Sequence, residues 1–188
     1  MGTYHLLIGI CWTILIVVWL ISGVKSKQTV QKKTPRGEMW VRVALLIIFL
    51  LLLAFNSIFH LNDFYLFSTN ATLQVSGVIL CVLGIAYAIY ARVALGSNWG
   101  TPGSLIEKPE LIVTGPYKYV RHPIYSGMCL AMIGSMLSAS LLWMMWLILA
   151  AAGLIFSAKK EEKDMLQQFP EDYIKYKKRT KKFIPFVW

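Results

Sequence analysis

The chain has 188 residues, of which 57% are hydrophobic and 15% charged, with a mean hydropathy of +0.59. A soluble domain would be close to half apolar and a quarter charged, and here the apolar residues are gathered into long runs. The composition therefore excludes an ordinary soluble domain and predicts an all-α integral membrane protein. The net charge of +10 lies in blocks beside apolar runs, which is typical of topology signals and not of a nucleic-acid-binding protein.

Three apolar runs in the N-terminal half predict membrane-spanning helices over Tyr4–Val24, Val43–Leu61 and Ala71–Tyr90. The first run has the position of a signal peptide, but it lacks a basic start and is too long, so we interpret it as a retained helix. Asn70-Ala-Thr72 reads as a glycosylation sequon, although it abuts the third span too closely for use.

The last apolar block, Pro123–Phe156, is too long to be one helix across a hydrocarbon core of ~30 Å. We predict that it forms the fourth and fifth spans as a helical hairpin that turns at Ser138–Ser140. Small residues recur in the fourth span at near-helical spacing, a stripe that allows close helix approach. The stripe consists of Gly127, Ala131, Ser135 and Ser138.

The basic residues predict the orientation of these five spans. Segments 25–42, 92–122 and 159–188 contain six, four and nine of the 19 lysines and arginines. With the N-terminus outside, all three segments and the C-terminal tail face the cytoplasm, as basic loops prefer. These five spans predict an integral multi-pass membrane protein. The sequence carries no signal for an oligomeric state.

The cysteines Cys11, Cys81 and Cys129 fall inside apolar segments and share no ligand-like spacing, so they predict buried free thiols and no metal site. Gly77 and Gly84, in the third span, are expected to serve helix packing.

Polar residues are concentrated just before the fourth span. Glycines and prolines between Leu95 and Gly103 exclude regular helix there, and Pro123 is well placed to open the next helix. Arg121 and His122 are therefore expected at a helix N-terminus, at the membrane interface and among tyrosines. This constellation suits a small polar or zwitterionic ligand, whereas Lys118 is interpreted as a topology charge.

The C-terminal tail predicts an amphipathic helix that starts at Pro170, with acidic residues first and basic residues last. Tyr173 and Tyr176 would share one face of it. Glu161 and Glu162 lie where the fifth span ends, and a hairpin would bring them beside Arg121 and His122. Adjacent helix positions point about 100° apart, so the sequence does not decide which glutamate faces the site. Three aromatic residues near the end of the tail are expected to anchor it at the membrane interface: Phe183, Phe186 and Trp188.

Together these residues resemble the isoprenylcysteine carboxyl methyltransferase family and the related phospholipid N-methyltransferases. The resemblance covers roughly residues 92–185. Its motifs are Leu95-Gly-x-x-Trp99, Thr114-Gly-Pro-Tyr-x-Tyr-Val-Arg-His-Pro-x-Tyr-x-Gly127, Glu161-Glu162 and Phe169-x-x-x-Tyr173-x-x-Tyr176.

The resemblance implies an S-adenosyl-L-methionine site at the cytoplasmic end of the fourth span and the tail, with a methyl acceptor that enters laterally from the bilayer. Implied cofactor-binding residues are Tyr117, Val120, His122, Pro123, Tyr125, Gly127, Tyr173, Tyr176 and Glu161. Implied catalytic residues are Arg121, Glu161 and Glu162.

The resemblance further implies a division into a three-helix part, 1–91, and a catalytic part, 92–188, within one structural unit. Relative to this family the five-helix length is minimal and suggests a prokaryotic member, in a cell membrane. The acceptor stays open between a prenylcysteine carboxylate, a phospholipid amine and a small thiol. Two alternatives from other classes are an NADPH-dependent lipid reductase and a non-enzymatic module whose basic tail binds anionic lipid.

Overall fold

The computed structural model describes residues 3–24, 29–32, 70–98, 104–106, 110–138, 142–185 and 187. Over these residues the chain is helical apart from one short antiparallel strand pair, so the predicted class is confirmed and the strands are an addition to it. The elements are α1 Thr3–Val24, β1 Thr29–Lys32, α2 Ala71–Leu95, β2 Ser104–Ile106, α3 Pro123–Ser138, α4 Leu142–Gln168 and α5 Pro170–Arg179. Strand β1 pairs with β2, with Thr29 opposite Ile106.

Three helices are long and apolar enough to cross a membrane: Thr3–Ser22, Ala71–Asn98 and Trp143–Gln168. Large apolar side chains on them are exposed, as lipid-facing residues would be, for example Leu20 and Ile148. The protein is therefore a multi-pass membrane protein. The second predicted span, Val43–Leu61, lies outside the described residues.

The predicted hairpin is confirmed, since the apolar block divides between α3, which ends at Ser138, and α4, which begins at Leu142. Helix α3 has 16 residues, or roughly 24 Å, less than a full hydrocarbon core requires. Helix α4 continues well beyond the predicted end at Phe156, to Gln168. Glu161 and Glu162 consequently lie within a continuous helix, which fixes their direction relative to the bundle.

Helices α2 and α3 make the most extensive contact in the described bundle. Gly84 lies against Gly127 and Ala131, and Gly77 lies against Gly134. A Cβ added at Gly127 would be 2.7 Å from the backbone nitrogen of Ala88, so the helices touch backbone to backbone. The predicted small-residue stripe thus packs against α2, and the predicted packing role of Gly77 and Gly84 is confirmed.

Helix α1 packs on the bundle through buried apolar residues and through a polar contact made by Trp12. The indole nitrogen of Trp12 donates to Ser135 Oγ on α3 at 3.0 Å, and its ring stacks on Trp143 of α4 at 5.3 Å between centroids. The apolar core around this contact comprises Ile8, Leu15, Cys81, Ile85, Ala88 and Ala131. Cys81 is buried as predicted, whereas Cys11 and Cys129 are only partly buried, and all three thiols are free.

The position of Arg92 shows that the third span was predicted to end too early, at Tyr90. Arg92 was expected in the loop that follows this span. It lies in the last turn of α2 and is only 2% exposed. Its guanidinium donates to the carbonyl of Ser22 at the end of α1 and to that of Gly96, both at 2.8 Å. A cation at the carbonyl ends of two helices is stabilised by their dipoles, which is why the helix accommodates it.

Candidate active site

The segment before α3 is shaped by a tight turn. Gly115 has a φ of +58°, a conformation in which glycine is favoured, and a short 3₁₀ turn over Gly115–Lys118 follows it. Pro123 then opens α3, as predicted, and the carbonyl of His122 accepts from the Ser126 amide at 3.1 Å. Lys118 is exposed, in keeping with its interpretation as a topology charge.

The C-terminal segment after α5 pairs with this loop. The amides of Arg121 and His122 donate to the carbonyls of Lys181 and Lys182, at 2.9 and 3.1 Å. The Lys181 amide returns a bond to the Tyr119 carbonyl at 3.3 Å. Residues 119–122 are therefore held by backbone bonds on one side and by α3 on the other.

Arg121 and Glu162 form a buried ion pair. Arg121 Nε lies 2.9 Å from Glu162 Oε1, and each side chain is 9% exposed. The same guanidinium donates through Nη1 to the Thr180 carbonyl at 2.6 Å. Two lysines also approach the carboxylate: Lys177 Nζ at 3.5 Å and Lys182 Nζ at 3.7 Å.

His122 lies between the two glutamates. Its Nδ1 is 3.3 Å from Glu161 Oε2, and its Nε2 is 3.4 Å from Glu162 Oε1. Tyr125 stacks on the imidazole at 5.5 Å between centroids, and its hydroxyl donates to Glu161 Oε1 at 2.5 Å. Both glutamates therefore face His122, which answers the question that sequence left open.

The electrostatic setting favours a protonated His122. Burial lowers the pKa of the imidazole, but the contacts with Glu161 and Glu162 outweigh burial, so the pKa is raised above its ordinary value. Glu162 is buried, whereas the Glu161 side chain is 30% exposed. Glu161 is accordingly the carboxylate that a ligand can reach.

Tyr173 and Tyr176 share the buried face of α5, as predicted, with ring centroids 5.9 Å apart. The Tyr176 hydroxyl donates to the Tyr117 carbonyl at 2.7 Å, which attaches α5 to the loop before α3. Burial raises the pKa of both phenols, so they remain neutral donors over the physiological range.

Other residues implied by the resemblance lie in the walls of the site. Val120 and Pro123 are almost fully buried, and the buried Gly127 lies against α2. Tyr117 is buried beside Ala91 and Ile124. These four residues are buried, whereas Tyr125 and Glu161 retain partial exposure.

Sequence reasoning missed several contributors to the site, besides the Thr180 and Lys181 carbonyls that accept from Arg121. Lys177 and Lys182 contact Glu162, Ser126 Oγ donates to the Phe183 carbonyl at 2.6 Å, and the Phe183 ring lies 5.6 Å from His122. Phe183 packs on His122, a contact that its interpretation as an interfacial anchor did not include. Phe186 and Trp188 lie outside the described residues. The spacing of the missed contributors gave no signal, because their contacts depend on how α3, α5 and the segment after α5 pack together.

The phospholipid methyltransferase family profile matches residues 72–172, and the chain belongs to this family. The matched region contains α2, the Arg121–His122 segment, both glutamates and the start of α5.

Two relatives extend this comparison. The chain is 27% identical over 119 residues to the human protein-S-isoprenylcysteine O-methyltransferase, a match that covers 61% of this chain and 42% of the relative. Its fold is similar to a solved structure described as the eukaryotic intramembrane Ras methyltransferase ICMT (isoprenylcysteine carboxyl methyltransferase), with a TM-score of 0.52 at 20% identity. That match covers 84% of this chain and 55% of the solved chain. The chain therefore spans about half the length of the relatives it matches.

Proposed function

We propose that this protein is an S-adenosyl-L-methionine-dependent methyltransferase that acts on a lipidic acceptor at the membrane interface. The observation that carries the proposal is the network of Arg121, His122, Glu161 and Glu162, inside the region that matches the methyltransferase family. A water-soluble cofactor and a lipidic acceptor can meet only at an interface. The network lies at the end of the apolar helix α3, where such a meeting would occur.

The residues present fit this cofactor chemically. His122 Nε2 is buried and makes no hydrogen bond within the described part of the chain, although it lies at ion-pair distance from Glu162. Glu161 offers a partly exposed carboxylate for an ammonium or ribose hydroxyl group. The rings of Tyr125 and Phe183 both pack on His122, and aromatic faces attract a sulfonium charge.

S-adenosylmethionine would supply a methyl group already activated on sulfur, so the protein needs no covalent chemistry of its own. The residues contribute orientation and electrostatics, which are worth most where they are preorganised. Glu162, itself paired with Arg121, holds His122 in place. The imidazole of His122 and the hydroxyl of Tyr125 orient the Glu161 carboxylate, and α5 covers the network and excludes water.

For the acceptor we propose the carboxylate of an isoprenylcysteine, in line with the name of the human relative. The family name supports a phospholipid amine as the second candidate on the same scaffold. Arg121 could orient a carboxylate through its planar guanidinium, whereas an amine acceptor would use Glu161.

We also propose the five-span topology with the N-terminus outside and the tail in the cytoplasm, since all 19 lysines and arginines then face one side. The boundary after residue 91 falls inside α2, which continues to Leu95. This continuity supports a single structural unit over a division into separable parts.

The first experiment is calorimetric titration of the detergent-solubilised chain with S-adenosylmethionine, S-adenosylhomocysteine and NADPH. We expect both adenosyl ligands to bind and NADPH to give no heat. The variants His122→Gln and Glu162→Gln should lose binding, with His5→Gln and the exposed Glu171→Gln as matched controls. Binding of NADPH alone would favour a reductase. If no ligand binds to the folded chain, the proposal fails.

Binding of the cofactor leaves the acceptor to be identified. Transfer of a labelled methyl group to a farnesylcysteine peptide or to phosphatidylethanolamine vesicles separates the two candidates. Label in the peptide as a base-labile ester identifies a carboxylate acceptor, whereas base-stable label in the lipid identifies an amine.

A further inference from the structure

The C-terminal segment Thr180–Phe183 lies outside the family match, which ends at residue 172, yet each of its residues contacts the site. The backbone carbonyl of Thr180 accepts a hydrogen bond from the Arg121 guanidinium. The carbonyls of Lys181 and Lys182 accept hydrogen bonds from the amides of Arg121 and His122. Phe183 packs its ring against His122. Four consecutive residues thus contact the two residues at the centre of the proposed site.

Lys182 differs from the other lysines of the tail. Its side chain is 15% exposed, whereas that of Lys177 is 46% exposed and that of Lys178 is exposed to solvent. Its ammonium lies 3.7 Å from Glu162 Oε1 and 5.8 Å from the centroid of the Phe183 ring. The ring and the backbone pairing restrict where this side chain can go.

A single carboxylate oxygen receives three cationic groups. Glu162 Oε1 is approached by Arg121 Nε at 2.9 Å, His122 Nε2 at 3.4 Å and Lys182 Nζ at 3.7 Å. Lys177 approaches the other oxygen, Oε2. Because charges share this one acceptor, the position of Lys182 affects how strongly Glu162 attracts His122.

We propose that Lys182 is a positioning residue of the site. Its ammonium group holds the Glu162 carboxylate against Arg121 and His122, and Lys182 is itself held by the backbone hydrogen bonds between the C-terminal segment and the loop before α3. The inference rests on the proposed function where it concerns cofactor affinity. Its electrostatic part concerns only the described residues.

The test compares Lys182→Met with Lys182→Arg in the full-length chain, with the exposed Lys178→Met as matched control. Melting in detergent first shows that each variant is folded. Calorimetry then gives the S-adenosylhomocysteine affinity, and NMR of ¹³C-histidine-labelled protein gives the pKa of His122, assigned with His122→Gln. The charged or titratable groups around His122 are Arg121, Tyr125, Glu161, Glu162, Lys177 and Lys182.

We expect Lys182→Met to weaken S-adenosylhomocysteine binding by about threefold to fivefold, the range for a partly exposed ion pair. It should also lower the pKa of His122, because a Glu162 carboxylate that is no longer held against the imidazole stabilises its charge less. A raised pKa would instead mark direct repulsion of His122 by Lys182 and would contradict the inference. Lys182→Arg should restore both values, and Lys178→Met should change neither.

An unchanged His122 pKa in folded Lys182→Met overturns the inference, whatever happens to affinity, because Lys182 would then not act through Glu162. Failure of the wild-type chain to bind S-adenosylhomocysteine would instead overturn the proposed function. The NMR titration would still decide the role of Lys182 in that case.

Discussion

Arg121 Nε lies 2.9 Å from Glu162 Oε1, and this buried pair joins the loop before α3 to the end of α4, 41 positions later in the chain. His122 extends the link to Glu161, so two adjacent residues of one segment meet two adjacent residues of one helix. A double link of this kind fixes both the position and the rotation of α4 relative to α3.

Removing Glu162 should cost more stability than removing Arg121. Glu162→Ala leaves Arg121 and His122 without their buried partner, and we expect a loss of about 3–5 kcal/mol, as when a buried ion pair is broken. Arg121→Ala leaves Glu162 with His122, Lys177 and Lys182, so its loss should be smaller. Unfolding in mixed detergent micelles with increasing denaturing detergent measures both. The exposed Arg179→Ala serves as control and should stay within about 0.5 kcal/mol. The reverse order would contradict the assigned network.

His122 should make the stability of the site depend on pH. Its pKa is raised in the folded chain, so the stabilisation is fully present below the ordinary value of about 6.5 and is lost as pH rises through the raised pKa. Thermal melting in detergent should therefore show wild-type stability falling from neutral to alkaline pH relative to His122→Gln. His5→Gln, on α1, should follow the wild-type curve. Parallel curves for wild type and His122→Gln would show that folding does not raise the pKa of His122.

Gly127 should be required for helix packing. In Gly127→Ala the added Cβ would lie 2.7 Å from the Gly84 carbonyl oxygen, so the helices must separate, at a cost of about 1–3 kcal/mol. Among the described residues, no atom beyond the local helix backbone lies within 4 Å of a Cβ added at Gly153 on α4. Gly153→Ala should therefore stabilise the chain by about 0.5–1 kcal/mol. Melting temperatures of the two variants should move in opposite directions. A neutral Gly127→Ala would mean that α2 and α3 are not in backbone contact.

Tyr125 should contribute to cofactor affinity through its hydroxyl group. Tyr125→Phe removes the hydrogen bond to Glu161 Oε1 and leaves the partly exposed carboxylate less fixed, so S-adenosylhomocysteine binding should weaken by about threefold to tenfold. Tyr119→Phe is the matched control, since Tyr119 is 52% exposed, and calorimetry compares the two. Equal affinities in both variants would remove Tyr125 from the binding site.

Local signals in the sequence predicted α1, the break after Ser138 and the start of α5 at Pro170, because apolar run length, small residues at turns and proline placement act within a few residues. The end of α2 was predicted too early because a charged residue such as Arg92 is typical of a loop. Its contacts with carbonyls at the ends of two helices become visible only in the tertiary structure. The strand pair was missed because it joins segments that are far apart in the chain.

The sequence by itself determined the class of protein and singled out Arg121, His122, Glu161 and Glu162 as candidates that a helical hairpin would bring together, since composition and motifs are carried by the chain in any conformation. Only the tertiary structure decided that both glutamates face His122, that Gly127 packs against α2 and that Lys182 joins the cluster. The physical reason is that helix rotation and the path of the chain after α5 arise from packing between distant segments. A carboxylate's partners are set by which of those segments come within about 4 Å of it.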